Sequence, residues 1–251
     1  MKTGSEIIID VLAEEGVETI FGYSGGAILP TYDEVFKYNE ANPKNPMPLI
    51  VPSNEQGAGF MASGYARSTG KPGVVMVTSG PGATNTVTPV RDAMADSIPM
   101  VIICGQVSRA AIGSDAFQEA PISSVMGSVA KHVFLITNEN KLAATLKAAF
   151  EVATSGRPGP VVVDIPKDIQ TAEISDEDHE EANIAAYANR ILAIEESRLS
   201  EEKSSEFFDH LSNSKKPLIY FGGGVISANA SEELREFVDH FNLPAVSTLM
   251  G

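Results

Sequence analysis

The sequence predicts an α/β fold: a doubly wound, mostly parallel sheet flanked by helices, followed by an incomplete second α/β domain. Two observations support this fold class. Short apolar runs of strand length alternate with longer stretches in which apolar residues recur at helical spacing. Several of the short runs are apolar at every position, which is typical of parallel strands that are covered on both faces.

The first domain is predicted to span residues 1–170. A stretch with helical spacing begins it, and turns that contain glycine or proline separate most of the runs that follow. The last run ends at Pro166, which cannot donate a hydrogen bond to a continuing sheet. Residues 106–125 are predicted to be irregular. The predicted helices cover residues 4–15, 55–68, 83–97 and 140–154, and the predicted strands cover residues 18–23, 49–51, 73–78, 100–105 and 160–166.

An acidic linker is predicted over residues 171–202. Within it, residues 173–202 hold ten acidic and two basic side chains and no strand pattern, so we expect a solvated segment that is partly helical around residues 185–194. Residues 203–251 then begin the second domain. Because one βαβ unit cannot cover both faces of a sheet, we expect this domain to continue beyond residue 251. Its predicted elements are a helix from about residue 203, a strand at 217–221, a glycine turn at 222–224, a helix at 230–241 and a strand at 245–247.

Composition argues against several classes of protein. The 251 residues are 43% hydrophobic, as in ordered globular proteins, and no apolar run reaches the ~18 residues of a membrane helix. The net charge of −15 argues against nucleic acid or a membrane as partner, because both attract basic surfaces. The single cysteine, Cys104, excludes a disulfide framework and a thiolate zinc site. The amino terminus lacks a secretory pattern, so we expect a cytoplasmic protein.

Three loops follow the carboxyl ends of predicted parallel strands, at residues 22–27, 52–56 and 78–85. Ligands of open α/β sheets bind at this edge. The first and third loops are rich in glycine, which allows a ligand to approach the backbone closely. The helix that follows Gly82 would also direct free N–H groups toward the same crevice.

The second of these loops carries Glu55 at the start of a predicted helix. Two interpretations remain open from position alone. The carboxylate favours the helix dipole from the first turn, or it lies in a partly apolar cleft and exchanges a proton with a ligand nitrogen.

The glycine loops only weakly match known nucleotide motifs. Residues 22–26 do not fit G-x-G-x-x-G, and residues 222–224 fit only its first half, so a plain tight turn is the alternative there. Neither loop has the Gly-Lys-Ser/Thr ending of a nucleoside-triphosphate P-loop.

Five motifs occur in one order along the first domain, and together they are more specific than any one of them. They are Asn-Glu-Gln-Gly-Ala-Gly-Phe-Met-Ala-Ser-Gly-Tyr-Ala-Arg at 54–67, Thr-Ser-Gly-Pro-Gly-Ala-Thr-Asn at 78–85, Asp-Ala-Phe-Gln-Glu at 115–119, Ser-Gly-Arg-Pro-Gly-Pro at 155–160 and Pro-Lys-Asp-Ile-Gln at 166–170. This order resembles the thiamine-diphosphate-dependent enzymes, and among them the family of acetolactate (acetohydroxyacid) synthase large catalytic subunits. The resemblance covers essentially the whole chain, including residues 247–251.

The resemblance implies a fold of three α/β domains. Residues 1–170 would bind the aminopyrimidine ring of thiamine diphosphate, and residues 203–251 would begin a central domain that contacts FAD. The third domain, which binds the diphosphate and Mg²⁺, has no counterpart here, so the magnesium ligands are expected there and this chain alone is expected to be inactive. The implied reaction decarboxylates pyruvate and condenses the two-carbon unit with a second 2-keto acid, pyruvate or 2-ketobutyrate, in the first step of branched-chain amino-acid biosynthesis.

Site residues are carried over by position in the motifs. The resemblance implies catalytic roles for Glu55, which would hydrogen-bond the ring nitrogen of the aminopyrimidine, and for Gln118 beside the reacting centre. Phe117 and Lys131 would line the substrate channel. Taken singly, Gln118 reads as a loop amide, Phe117 as a core residue, Lys131 as a solvated cation and Arg157 as a turn residue. The implied cofactor contacts are Gly25, Gly26, Glu55, Pro81 and Asn85 for thiamine diphosphate, and Arg157, Gly222, Gly223 and Gly224 for FAD, which such enzymes bind without net redox chemistry.

Three positions depart from the usual family pattern: Asn54, Ser24 and Ser108 stand where the family commonly has His, Pro and Pro. The proline losses free a backbone N–H and affect channel contacts, and Asn54 bears on 2-keto-acid specificity. The resemblance also implies a homodimer or tetramer and allows a small regulatory subunit. Two other readings stay open: a different thiamine-diphosphate enzyme, such as a pyruvate oxidase or 2-keto-acid decarboxylase, and a non-catalytic module that dimerises or binds FAD.

Overall fold

The computed structural model describes residues 1–175, 180–182, 187–189, 192–193 and 199–251. The chain divides into two compact units, Met1–Ala188 and Asn189–Gly251. The predicted linker helix around residues 185–194 lies mostly outside the described residues. In the described part of the chain, no helix combines the length and the apolar character that crossing a bilayer requires.

The first unit is built on a six-stranded sheet in which every paired strand runs parallel to its neighbour. The strand order is β3-β2-β4-β5-β7-β6, and a separate antiparallel pair joins β1 to β8. This confirms the predicted parallel α/β fold. The strands are β1 Lys2–Thr3, β2 Ile20–Tyr23, β3 Leu49–Ile50, β4 Gly73–Val77, β5 Met100–Gln106, β6 His132–Leu135, β7 Pro160–Pro166 and β8 Glu173–Ile174.

Helices cover both faces of this sheet, so the central strands β4, β5 and β7 are buried on two sides. Along β4, Val74 and Met76 face one hydrophobic core, while Val75 and Val77 face the other. The first core is closed by α1, α2 and α7, and the second by α3, α5 and α6. The helices are α1 Gly4–Glu14, α2 Leu29–Ala41, α3 Glu55–Thr69, α4 Pro81–Thr84, α5 Val87–Asp96, α6 Ile122–Gly127, α7 Leu142–Thr154 and α8 Lys167–Thr171, with 3-10 turns at Arg109–Ala111 and Glu139–Lys141.

Several elements differ from the prediction. Helix α2 and strand β6 were not predicted, and α6 lies in the segment expected to be irregular. The predicted single helix 83–97 is divided into α4 and α5. The Thr86 hydroxyl donates to the Ala83 carbonyl at 2.7 Å, so that carbonyl is occupied by a side chain where a continuous helix would use it for a backbone hydrogen bond. Strand β6 is half-exposed and, among the described strands, pairs with β7 alone, so its sequence lacks the apolar run of a central strand.

The described residues of the second unit form one parallel pair of strands and three helices. Strands β9 and β10 pair through Tyr220 and Val246 at the centre of their register. The outer helices pack through phenylalanine rings, with Phe207 and Phe237 at a centroid distance of 6.0 Å. The elements are α9 Glu201–Asn213, β9 Ile219–Phe221, α10 Gly223–Ser227, α11 Ser231–Phe241 and β10 Ala245–Ser247.

Candidate active site

The loops at the carboxyl ends of the central strands converge in the first unit. The loops after β2, β4 and β5 and the start of α8 surround a cleft of about 590 Å³. This is the edge at which the sequence predicts a ligand. Residues that line the cleft include Gly26, Ser79, Gln106, Phe117, Gln118 and Lys167.

Two glycines at this edge are required by the buried side chain of Thr78. A Cβ atom added to Gly25 would lie 2.5 Å from the Thr78 methyl carbon, and one added to Gly82 would lie 2.7 Å from the same atom. The Thr78 hydroxyl also accepts a hydrogen bond from the Ala27 N–H at 3.2 Å. Gly26 is different, because a Cβ there would meet nothing within 4 Å and would project into open space. The first and third predicted loops are therefore packed together, with Gly26 left accessible.

The turn after β4 also lies directly against the loop that carries Gln118. Gly80 has a φ of 53°, and a Cβ there would come within 2.3 Å of the Gln118 carbonyl oxygen. Only glycine combines that backbone conformation with so close an approach. Pro81 and Gln118, which are far apart in sequence, are thus held at the same place.

Glu55 begins helix α3, and its position is fixed by the residue before it. The Asn54 side chain accepts a hydrogen bond from the Gly57 N–H at 2.8 Å and so caps the helix. The Glu55 carboxylate in turn accepts a hydrogen bond from the Asn85 amide at 2.9 Å. Its second oxygen lies 3.5 Å from where a Cβ on Gly82 would stand. The structure thus brings Glu55, Asn85 and the Gly82 turn into one group.

The negative charge of Glu55 also affects the ionisation of Tyr32. Burial, and then the charge of Glu55, raise the pKa of the Tyr32 hydroxyl far above its ordinary value. That hydroxyl donates to the Met76 carbonyl at 2.8 Å and stays neutral. The two interpretations of Glu55 are compatible here. The half-buried carboxylate lies in the first turn of α3, where its charge favours the helix dipole, and one of its oxygens still faces the glycine turn.

The Asp-Ala-Phe-Gln-Glu motif is a closed turn that presents its aromatic residue outward. The Glu119 carboxylate accepts hydrogen bonds from the backbone N–H groups of Gly113 and Ala116, and these bonds hold the pKa of Glu119 below its ordinary value. Phe117 is 87% exposed, so the alternative that it is a core residue is wrong. Gln118 has a φ of 57° and lines the cleft beside Phe117.

Lys167 and Asp168, at the start of α8, were quoted in a motif but not predicted as site residues. Burial alone would raise the pKa of Asp168, but the hydrogen bonds and charge of Arg109 outweigh it and hold that pKa below its ordinary value. Arg109 donates to this carboxylate from its backbone N–H at 2.9 Å and from Nε at 2.7 Å. Asp168 is thus neutralised, and Lys167 has no ion pair in the described part of the chain. The signal that could have identified Lys167 is its position directly after a buried parallel strand.

Lys131 and Arg157 are not brought to this cleft. Both lie at the amino ends of β6 and β7, on the opposite edge of the sheet. The Lys131 ammonium donates to the carbonyls of Val152 and Ser155 at the end of α7, the latter at 2.6 Å, so it is not the solvated cation of the alternative reading. The Arg157 guanidinium donates to the Ala95 carbonyl at 2.9 Å and to the Ser97 hydroxyl at 2.7 Å, where α5 ends. Cations are favourable at helix C-termini.

The remaining predicted positions lie elsewhere. Ser24 is an exposed residue of the first glycine loop, and Ser108 lines the cleft at the start of the 3-10 turn. Gly222, Gly223 and Gly224 belong to the second unit, between β9 and α10. Room for a side chain is limited at Gly223, where a Cβ would lie 2.9 Å from the Met250 carbonyl oxygen, whereas at Gly224 it would meet nothing within 4 Å.

Comparison with known proteins identifies the family. A family model described as "Thiamine pyrophosphate enzyme, N-terminal TPP binding domain" matches residues 2–127, and one described as "Thiamine pyrophosphate enzyme, central domain" matches residues 205–251. The chain belongs to the thiamine pyrophosphate enzymes. The first match contains the strands β1 to β5, the site group formed by Glu55, Asn85 and the Gly82 turn, and also Gln118.

Curated members of the thiamine pyrophosphate enzymes that are similar to this chain carry the name acetolactate synthase. The catalytic subunit from Saccharomyces cerevisiae is 42% identical over 251 residues, which are 99% of this chain and 36% of that protein. The large subunit from Corynebacterium glutamicum is 44% identical over 99% of this chain and 38% of its own length. The enzyme from Arthrospira platensis is 42% identical over 99% of this chain and 42% of its own length. The chain therefore spans about two fifths of these relatives.

The site group fits the pyrimidine half of thiamine pyrophosphate. A carboxylate stands beside a side-chain amide, and Gly26, where an added Cβ would meet nothing within 4 Å, leaves space that a flat ring would need. The described residues do not offer a comparable site for Mg²⁺. The described residues contain no group of three or more His, Cys, Asp or Glu side chains that could hold a metal ion, so no metal-dependent step is assigned to them.

Proposed function

We propose that this chain is the N-terminal part of an acetolactate synthase catalytic chain. The proposed reaction is the decarboxylation of pyruvate and the condensation of its two-carbon unit with a second 2-keto acid, pyruvate or 2-ketobutyrate, as the first step of branched-chain amino-acid biosynthesis. The observation that carries the proposal is the half-buried Glu55 carboxylate, bonded to Asn85 at 2.9 Å against the Gly82 turn. The identity of 42–44% to proteins of that name along nearly the whole chain supports it.

Glu55 acts on a proton in this proposal. When bound, thiamine diphosphate supplies a nucleophilic carbon and an electron sink for decarboxylation. The Glu55 carboxyl exchanges a proton with the pyrimidine ring nitrogen, and Asn85 fixes its orientation by donating to one carboxylate oxygen. Gly25, Gly26 and Pro81 would form the backbone surface that holds the ring, and Gln118 would stand beside the reacting centre.

Lys167 rather than Lys131 is the cation that we assign to the 2-keto-acid carboxylate. Among the described residues that line the cleft, Lys167 is the one basic side chain, and the acid beside it, Asp168, is paired with Arg109. An unneutralised cation in a partly enclosed cleft attracts an anionic substrate. Phe117 forms the apolar part of the same channel. Lys131 is bonded to the end of α7 at the other edge of the sheet and does not reach this cleft within one chain.

Further partners follow from the same proposal. FAD would contact Arg157 and the glycines 222–224, and Mg²⁺ would have its ligands outside the described residues. A second copy of the chain is supported by large apolar side chains that helices α2 and α3 leave exposed, namely Leu29, Phe36, Phe60 and Met61. A tetramer, a regulatory subunit and a cytoplasmic location stay predictions from the sequence.

The test is acetolactate formation from pyruvate by the full-length gene product. Glu55→Gln is expected to lower turnover about 100- to 1,000-fold, because the amide cannot exchange the proton. Glu151→Gln is the matched control, since Glu151 is exposed on α7 and makes no side-chain hydrogen bond in the described part of the chain. Undiminished turnover in Glu55→Gln would contradict the role of this carboxyl group.

A second candidate function is favoured by the family match itself, which names no reaction. A pyruvate oxidase or a 2-keto-acid decarboxylase would use the same Glu55 arrangement. Product analysis separates them, because acetaldehyde or acetyl phosphate as the main product would replace the acetolactate proposal. A non-catalytic module would release neither product. Tight binding of thiamine diphosphate with Mg²⁺ to residues 1–251, measured by calorimetry, would argue against that module.

A further inference from the structure

A carboxyl group is buried in the middle of the sheet, where a hydrophobic side chain would be expected. Asp164 is 1% exposed and lies in β7, paired in register with Cys104 of β5 and Leu135 of β6. One of its oxygens, Oδ2, accepts a hydrogen bond from the Gln106 side-chain amide at 3.0 Å. The other oxygen, Oδ1, is buried and has no hydrogen-bond partner in the described residues. Such a group is costly to bury, so its presence needs an explanation beyond packing.

Gln106 connects this carboxyl group to the cleft. Its side chain is buried at the end of β5 and lines the cleft. Its carbonyl oxygen accepts from the Val107 N–H at 2.8 Å, and its amide nitrogen donates both to Asp164 and to the Ala120 carbonyl, the latter at 3.3 Å. Val107 and Ala120 are the first and last residues of the segment that carries Phe117 and Gln118. We call residues 107–120 the cleft loop.

The hydrogen bonds allow only one orientation of the Gln106 amide. If the amide were rotated by half a turn, its NH₂ group would face the Val107 N–H and its oxygen would face the carboxyl group. Asp164 therefore supplies the acceptor that holds the amide with its nitrogen toward Ala120. Without that acceptor, a buried N–H is left unpaired and the contact that joins the two ends of the cleft loop is weakened.

We propose that Asp164 is a positioning residue: by holding the Gln106 amide, it ties together both ends of the cleft loop and so places Phe117 and Gln118 at the cleft. This inference rests on the proposed function for its catalytic consequence, since those two side chains are the ones assigned to the substrate channel and the reacting centre. Asp164 itself contacts neither substrate nor cofactor. Glu55 and Asn85 are held independently by α3 and by the turn after β4.

Hydrogen exchange of the full-length gene product tests the placement directly. In Asp164→Val, backbone exchange in peptides that cover residues 107–120 is expected to rise about tenfold, as for the loss of one buried hydrogen bond. In Asp164→Asn, the remaining oxygen still accepts from Gln106, so exchange there is expected to stay close to that of the wild type. The matched control is Val162→Ala, two residues away on the same face of β7 and fully buried.

Steady-state kinetics distinguish a positioning role from a general effect on stability, because only a positioning role changes KM without changing cofactor binding. For Asp164→Val, KM for pyruvate is expected to rise about tenfold, while the Kd of thiamine diphosphate stays within about twofold of the wild-type value, because the Glu55 group is unchanged. Asp164→Asn is expected to rescue KM. If Asp164→Val does not fold, Gln106→Leu removes the same contacts and is expected to give the same result.

The inference is overturned if Asp164→Val leaves exchange of the cleft loop at the wild-type rate, or if Val162→Ala raises it equally. These outcomes do not depend on the reaction. If the wild-type protein forms no acetolactate, the proposed function fails while the exchange measurement still decides the role of Asp164.

Discussion

The two edges of the central sheet use the same kinds of side chain for different purposes. At the amino edge, Lys131 and Arg157 donate to backbone carbonyls at the ends of α7 and α5. At the carboxyl edge, Lys167 faces the cleft and has no ion pair in the described residues, and Gly26 is left uncovered. The cations of one edge complete the helices, whereas the polar groups of the other retain hydrogen-bonding capacity for a ligand.

The topology explains this difference. In a parallel α/β sheet, each crossover helix runs opposite to the strands, so helix C-termini collect at the amino edge and helix N-termini at the carboxyl edge. Helix C-termini carry partial negative charge and unpaired carbonyls, which bind nearby cations. A lysine at the carboxyl edge finds no such partner. The edge on which a cation lies therefore says more about its use than its residue type does.

Substituting Lys167 at the carboxyl edge and Lys131 at the amino edge gives the largest expected difference between the two edges. Lys167→Met should lower kcat/KM for pyruvate about 10- to 100-fold, since a charged hydrogen bond contributes roughly 1.5–3 kcal/mol. Lys131→Met should instead lower Tm by several degrees, because two carbonyls lose a charged donor, with KM for pyruvate changed less than about twofold. Steady-state kinetics and thermal unfolding of the full-length protein check both. The reverse pattern, a KM effect in Lys131→Met only, would restore Lys131 to the substrate channel.

Asp164 provides the next test. If this buried carboxyl group is kept to position the cleft loop, it should lower the stability of the folded protein. Burial raises the pKa of Asp164 to about 7, opposed by the Gln106 hydrogen bond. The folded state thus binds the proton more tightly than the unfolded state, whose carboxyl group titrates near its ordinary value of about 3.9. Between about pH 4 and pH 7 the folded protein carries more protons, so this residue lowers the free energy of unfolding as pH rises.

The expected result is a pH-dependent gain in stability for Asp164→Asn. Relative to the wild type, its free energy of unfolding should rise between pH 4 and pH 7 by roughly 2–3 kcal/mol and change little above that range. Denaturant unfolding at several pH values measures the difference. The control is Asp92→Asn, which makes the same substitution at an exposed acid on α5. A difference that is constant across this pH range would contradict the assigned pKa.

Much of the fold was accessible from the sequence because buried parallel strands have a strong local pattern. The strands β4, β5 and β7 occur within a residue or two of their predicted positions. Helix α2 was missed because its buried stripe includes Thr31 and Tyr32, so polar atoms interrupt the apolar periodicity. The Tyr32 hydroxyl finds its partner, the Met76 carbonyl, only in the folded sheet.

The candidate site was predictable where the motif coincides with a strand end, as at Glu55 and the Gly82 turn. The substrate-channel role of Lys131 stays a prediction from the resemblance. This lysine directly precedes β6, an edge strand without a clear apolar run, so nothing in the sequence indicated that it lies at the amino edge. The bond from Gln106 to Asp164 could not be predicted either, because it joins residues of two strands that are 58 positions apart.

Arg157 gives the smallest expected effect and the sharpest test of the amino edge. Its guanidinium donates to the Ser97 hydroxyl and to the Ala95 carbonyl at the end of α5, where Ser97 has a left-handed φ of 61°. Arg157→Met should lower the free energy of unfolding by about 1 kcal/mol, because these exposed bonds and the interaction with the helix terminus are lost. The control is Arg91→Met, an exposed arginine of the same helix that makes no ion pair in the described residues.

The resemblance assigns Arg157 to FAD, whereas its contacts within one chain serve helix α5, and one pair of measurements separates these roles. If Arg157 only completes α5, thermal unfolding changes and the Kd of FAD for the full-length protein does not. If it also contacts the flavin nucleotide, the Kd rises by about tenfold or more, as for the loss of a charged hydrogen bond. Equal stability of Arg157→Met and Arg91→Met would contradict the first role, and the rule that amino-edge cations complete helices would then fail at this residue.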